Sequence, residues 1–129
     1  MEKVCPVVLR NPHEILAFQH PLAGLQFVKG GIEDVETPAQ AAVRELHEES
    51  GLTLHAEYDL GQRTDIVEGQ TWHFWLMESA TACDHWRHAT ADDDGQTFAF
   101  FWLPLRKDLP SGFAAPYVRA HNHILQTLT

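Results

Sequence analysis

The stretch from Gly30 to Leu52, GGIEDVETPAQAAVRELHEESGL, decides the fold. Its second half predicts a helix over 38–50. Thr37 suits the N-cap, Pro38 the first helical position, where a missing N–H costs nothing, and Gln40 completes a Thr-x-x-Gln capping box. Gly51 supplies the stop, because it tolerates the left-handed backbone that ends helices. Ala39, Ala42, Val43 and Leu46 recur at helical spacing and offer an apolar stripe to a core. Ahead of the helix, Lys29-Gly30-Gly31 breaks regular structure.

Working outward, Val4 to Leu9 and Ile15 to Phe18 read as short buried strands, with turn chemistry at Asn11-Pro12-His13 between them. His20 to Gly24 is a loop, and Leu25 to Val28 a brief extended piece. Downstream, Leu54 to Asp59, Thr71 to Met77 and Thr97 to Leu103 read as strands, the last ending at Pro104. Residues 79–95 are polar, with Asp92-Asp93-Asp94-Gly95 as a turn. Pro116 to Leu128 predicts an amphipathic helix through Val118, Ile124, Leu125 and Leu128. Strands with one helix between and one at the end give an α/β or α+β sandwich.

The 129 residues fit one compact domain, 1–129. Hydrophobic and charged shares of 44% and 21% are those of a globular chain rather than a disordered one. No run approaches the roughly 20 apolar residues that cross a bilayer. Met1 to Pro6 lacks an apolar export segment, so no membrane partner and a cytoplasmic location are expected. Eighteen acidic against nine basic residues, a net charge of −9, argue against binding a nucleic-acid polymer. A small anion stays open to it, because metal ions held by carboxylates invert the local field. Cys5 and Cys83 lack metal or redox spacing and are expected as free thiols packed like small hydrophobes.

Glu45, Glu48 and Glu49 fall at i, i+3 and i+4 and project from one helical face beside the apolar stripe. Like charges so placed repel by a few tenths of a kcal/mol per pair, and only Arg44 flanks them. Three carboxylates on one face can be a plain solvated surface or a seat for a counter-ion. Hard oxygen ligands on a shallow surface suit Mg²⁺ or Mn²⁺.

The surrounding pattern tips this choice. Gly30, Glu36 after five residues, and Arg44-Glu45-Leu46-His47-Glu48-Glu49-Ser50-Gly51-Leu52 after seven more resemble the Nudix box at every defined position. The resemblance covers 23 residues strongly and the rest in element order, including the Phe101-Trp102-Leu103-Pro104-Leu105 strand end. It implies a Nudix-like α/β/α sandwich, with a mixed sheet between helices. It further implies a hydrolase that cleaves a phosphoanhydride (pyrophosphate) bond in a nucleoside diphosphate linked to another moiety.

By the same resemblance, Glu45, Glu48 and Glu49 bind the divalent ions, joined by a backbone carbonyl near Lys29 or Gly30. Arg44 orients Glu48 or Glu49, and Glu36 supports from behind, pairing with Arg44. Gly30 and Gly51 allow backbone forms closed to other residues. Glu45 or Glu48 is the expected base, so Glu45, Glu48 and Arg44 are the catalytic candidates. Substrate candidates are modified nucleoside triphosphates, nucleotide sugars, ADP-ribose and dinucleoside polyphosphates, and the Lys29-Gly30 lead-in points toward the last. A homodimer is compatible with the pattern. The competing reading is a catalytically silent Nudix-fold sensor that binds a nucleotide.

Two departures stand out. Val35 replaces a glycine common before the conserved Glu36. Phe101 falls near where some members place a late-strand carboxylate, for which Asp92, Asp93 or Asp94 could substitute. Lys3, Arg10, Lys29, Arg63 and Arg87 are the cations available to a phosphate. His20 and His73 fall where a pocket is expected, Trp72 and Phe74 alternate against His73 and Trp75, and Trp86 is the candidate exposed stacking ring. Cys83, His85 and His88 resemble half a zinc site with no second half.

Overall fold

A computed structural model describes residues 1–90 and 95–128. Its strands are β1 (Glu2–Arg10), β2 (Glu14–His20), β3 (Gly24–Gln26), β4 (Gly30–Gly31), β5 (Tyr58–Arg63), β6 (Thr71–Ser79), β7 (His85–Ala89) and β8 (Thr97–Pro104). Its helices are α1 (Pro38–Ser50) and α2 (Ala115–Thr127). The main sheet runs β5-β6-β1-β2-β8-β7, with β3 added to β2 and β4 to β1. β1 and β6 pair in parallel over nine residue pairs, from Glu2↔Thr71 to Arg10↔Ser79, and the other strand pairs are antiparallel. The sheet is therefore mixed, as expected.

Alternation along the strands splits the core in two. Val4, Val8, Leu16, Phe18, Phe98 and Phe100 face α1, packing with Ala41, Ala42 and Leu46. Cys5, Val7, Leu9, Ile15, Ala17, Trp72 and Phe74 face the other way, onto Tyr117, Ala120 and Ile124 of α2. One helix on each face makes the sandwich. Each large apolar side chain removed from water contributes about 1.5–3 kcal/mol.

α1 has the predicted bounds. Thr37 Oγ1 accepts from the Gln40 N–H at 3.1 Å and the Gln40 side chain accepts from the Thr37 N–H at 2.9 Å. Gly51 ends the helix at φ 82°. Its buried face is Ala41, Ala42, Glu45, Leu46 and Ser50, so Ala41 takes the place expected of Ala39.

Elsewhere the register of prediction shifts. Residues Leu54 to Glu57 are not strand, and pairing with β6 begins only at Tyr58. Leu52, Leu54 and Ala56 owe their apolar character to packing against the α1-side core instead. β7 lies inside the stretch read as polar loop. It is an edge strand with little to bury, so its alternation carries almost no apolar signal. Gly30-Gly31, read as a break, makes two pairs with β1. On α2, Val118 is 43% exposed, whereas Tyr117, Ala120, His121, His123 and Ile124 are buried.

One irregularity places the site. β1 and β2 pair only at Leu9↔Ile15 and Arg10↔Glu14 and then part. Beyond that point β2 takes β3 as its partner, from Phe18↔Gln26 to His20↔Gly24, while β1 takes β4. The segment 24–31 thus closes a split in the sheet, beneath α1.

Candidate active site

The local chain explains why acidic side chains can sit where α1 meets this split. Glu45 is on the buried face of the helix, only 8% exposed, and its carboxylate lies directly against the Cα of Gly30. A Cβ at position 30 would overlap that carboxylate, so the glycine is needed for space rather than for a left-handed backbone.

Arg44 is the hub of the polar cluster. Its Nε and Nη2 donate to both oxygens of Glu36, at 2.6 and 2.8 Å. Nη2 also donates to the Gly31 carbonyl at 2.9 Å, and Nη1 to Glu45 at 3.0 Å and Glu48 at 3.2 Å. One guanidinium therefore ties the loop to the helix and holds two of the three box glutamates. The Arg44 hydrogen bonds pull the Glu36 carboxyl down to about 2. Reciprocally, Glu36 and then Glu45 hold the Arg44 guanidinium well above its ordinary value. The expected Glu36–Arg44 pair is present, and Arg44 holds Glu45 as well as Glu48.

The far end of α1 is also tied. Ser50 Oγ donates to the Leu46 carbonyl at 2.6 Å and accepts from the Leu52 N–H at 3.0 Å. Trp86 Nε1 donates to the Ser50 carbonyl at 2.9 Å, and its ring stacks on Phe100 at 5.3 Å. Trp86 is thus a strut for the helix end and not the exposed stacking ring expected of it. A buried helix terminus needs such partners for its last carbonyls.

A pocket of about 330 Å³ opens at the split, lined by His20, Gln26, Lys29, Glu45, Glu49, Thr90 and Phe98. Two of the three box glutamates reach it together with a lysine. Of the five candidate cations only Lys29 lines it. Arg10 is paired with Glu14 at 3.0 Å and Asp84 at 3.1 Å, and Arg63 with Asp65 at 2.6 Å.

His20 belongs to the pocket, whereas the His73 ring pairs with Glu2 at 2.7 Å at the surface. Trp72 and Phe74 are core residues on the α2 side. Phe101 packs against that same side, away from α1, and supplies no carboxylate. Asp92, Asp93 and Asp94 lie outside the described residues. Gln26, Thr90 and Phe98 carried no motif; the β2–β3 pairing brings Gln26 to the pocket and the β7–β8 pairing sets Thr90 beside Phe98.

Cys5 is fully buried, and burial, with Glu49 as a lesser cause, pushes its thiol up to about 12. It is inert packing, as expected. Cys83 is exposed and so departs from that expectation.

Carboxylate oxygens from one helical turn, with main chain of residues 29–31 opposite, are a donor set that suits a hard divalent cation. Among the described residues no three His, Cys, Asp or Glu side chains converge on one point, since Arg44 draws Glu45 and Glu48 toward itself. The donor chemistry fits Mg²⁺ or Mn²⁺.

Comparison with known proteins follows the same lines. The NUDIX domain family model matches residues 3–123. An RNA pyrophosphohydrolase of Aliivibrio fischeri (strain MJ11) is 31% identical over 102 residues, covering 64% of this chain and 60% of that protein. The chain thus matches less than two thirds of the length of such relatives. Among solved structures, MutT studied from Aliivibrio salmonicida and Vibrio cholerae superposes with a TM-score of 0.68 at 24% identity, covering 97% of both chains. An ADP-ribose pyrophosphatase from Streptococcus suis 89-1591 gives 0.68 at 16% identity, over 97% of this chain and 90% of that one. These structural likenesses carry the fold.

Proposed function

The chain belongs to the Nudix family, and from that premise we propose that residues 1–129 are one Nudix domain. Its activity is metal-dependent hydrolysis of a phosphoanhydride bond in a nucleoside diphosphate linked to another moiety. The observation that carries this reading is the placement of Glu45 and Glu49 on the wall of one pocket with Lys29, while Arg44 secures Glu45 and Glu48 from behind.

Glu45, Glu48 and Glu49 would hold Mg²⁺ or Mn²⁺, helped by a main-chain carbonyl of residues 29–30. When bound, such ions neutralise pyrophosphate charge and lower the pKa of a coordinated water. Lys29, which lines the same pocket, supplies a cation for the anionic substrate. Arg44, anchored by Glu36 and the Gly31 carbonyl, limits how far the glutamates swing. The carboxylate that takes the water proton is drawn from the Glu45–Glu48 pair.

The test is a panel with Mg²⁺ and with Mn²⁺, scored by product identity: nucleotide sugars, ADP-ribose, dinucleoside polyphosphates, modified nucleoside triphosphates, and RNA carrying a 5′ polyphosphate. The RNA arm follows the activity printed for the curated relatives. The net charge of −9 leads us to expect that only the end of such an RNA engages. Tight binding without phosphate release across the panel would replace the hydrolase by a nucleotide sensor.

A further inference from the structure

Across the sheet from the glutamates, a second hollow of about 180 Å³ lies between α2 and the chain that leaves β5. It shares no lining residue with the pocket at the split. Arg63, Asp65 and Ile66 line one side of it, and Arg119, Asn122 and His123 of α2 the other.

Each arginine is held in place, and each keeps donors to spare. Arg63 forks onto Asp65, Nε donating to Oδ1 at 2.9 Å and Nη2 to Oδ2 at 2.6 Å. Its Nη1 has no acceptor among the described residues. Arg119 donates from both Nε and Nη2 to the Ile66 carbonyl, at 2.9 and 2.7 Å. That acceptor is neutral, so it aims the guanidinium without cancelling its charge. No carboxylate among the described residues pairs with Arg119, and its Nη1 is likewise without an acceptor there.

Asp65 feels both cations. The Arg63 hydrogen bonds chiefly, and the Arg119 charge to a lesser degree, hold its carboxyl below the ordinary value. One carboxylate thus faces two guanidiniums, which leaves this lining positive in a chain of net charge −9. Asn122, three residues beyond Arg119 and so on its side of the helix, brings an exposed carboxamide with no partner among the described residues. His123 adds nothing to the set, because its Nε2 is committed to the Leu60 carbonyl at 2.8 Å. Guanidinium and carboxamide N–H groups around one hollow match the oxygens of a tetrahedral oxyanion. The volume is several times the roughly 30 Å³ share of one water, so a phosphate group fits.

We propose that Arg63, Arg119 and Asn122 form a second anion site, which takes a phosphate group either free or as a monoester. The site is separate from the pocket at the split and stands whether or not that pocket hydrolyses anything.

The experiment titrates the full chain with inorganic phosphate, without divalent metal and at constant ionic strength so that general screening is held fixed. Binding is read by NMR at the Arg63 and Arg119 Nε–H and the Asn122 side-chain amide. Saturable shifts at these three groups are expected. Arg119→Gln should weaken binding about tenfold or more, as for a charge-assisted hydrogen bond, and Asn122→Ala about threefold. Thermal melts check the fold of Arg119→Gln, which also gives up the Ile66 carbonyl. Asn122→Ala removes no bond within the protein and tests the site without that cost. Glu48→Gln should bind phosphate here as wild type does. A second titration with AMP separates the sources: shifts at the same groups extend the site to monoesters, and their absence restricts it to free phosphate. Shifts that never saturate, shifts confined to the Lys29 pocket, or wild-type affinity in both Arg119→Gln and Asn122→Ala would each overturn the proposal.

Discussion

The two helices are the same length, each carries a proline in its first turn, and they cover opposite faces of one sheet. They are held in different ways. α1 is finished mostly by its own neighbours in sequence: the Thr37–Gln40 capping box at one end, Gly51 and the Ser50 hydroxyl at the other, with Trp86 adding one distant bond to the Ser50 carbonyl. α2 has Ala114 at its N-cap and so no side-chain cap. It is tied down by His121 Nε2 at 2.7 Å from the Leu105 carbonyl and His123 Nε2 at 2.8 Å from the Leu60 carbonyl, across the domain. A helix satisfied locally can devote its inner face to charged groups. A helix anchored through its inner face must use polar groups there for structure.

If that division holds, substitutions on α1 should strike activity and those on α2 stability. The largest expected effect is Glu48→Gln: turnover falls by about 100-fold or more, the scale of losing an acid–base group, while the melting curve is unchanged. Full turnover in the variant would remove Glu48 from the chemistry. Gly30→Ala comes next, because its methyl overlaps the Glu45 carboxylate and must displace it. A loss of roughly 10- to 100-fold in activity or in Mg²⁺ dependence is expected, as for a disturbed ligand support.

On the other helix, His123→Leu leaves the buried Leu60 carbonyl without its donor and should cost about 1–3 kcal/mol by chemical denaturation, with kcat and KM unaltered. A comparable drop in kcat would break the comparison.

The smallest effect sharpens it. Glu36→Gln should lower the melting temperature by a few degrees at pH 7. The folded carboxyl lies at about 2 against an ordinary 4.5. Its stabilisation is therefore full above pH 4.5, and the gap between variant and wild type should close as the pH falls toward 2.

α1 and its acidic face were legible because their main requirements are local. Cap, stop and carboxylate face fall within 23 consecutive residues, and the spacing of Glu45, Glu48 and Glu49 alone puts them on one stretch of helix. β7 was not legible, since an edge strand such as His85 to Ala89 buries too little for its sequence to alternate. Nor was the buried face of α2. Its His121 and His123 are polar side chains whose burial makes sense only once the fold brings the carbonyls of Leu105 and Leu60 to them.

By itself, then, the sequence determined the family signature, the capped helix and the acidic face, all products of bonds and spacings within a few turns of chain. Only the tertiary structure decided that β1 and β2 part company. That divergence needs segment 24–31 to satisfy two strand edges at once; it brings Gln26 and Lys29 to His20 and the glutamates, and the β7–β8 pairing adds Thr90 and Phe98. Contacts between residues so distant in sequence arise from pairing and burial across the whole sheet, which no local pattern encodes.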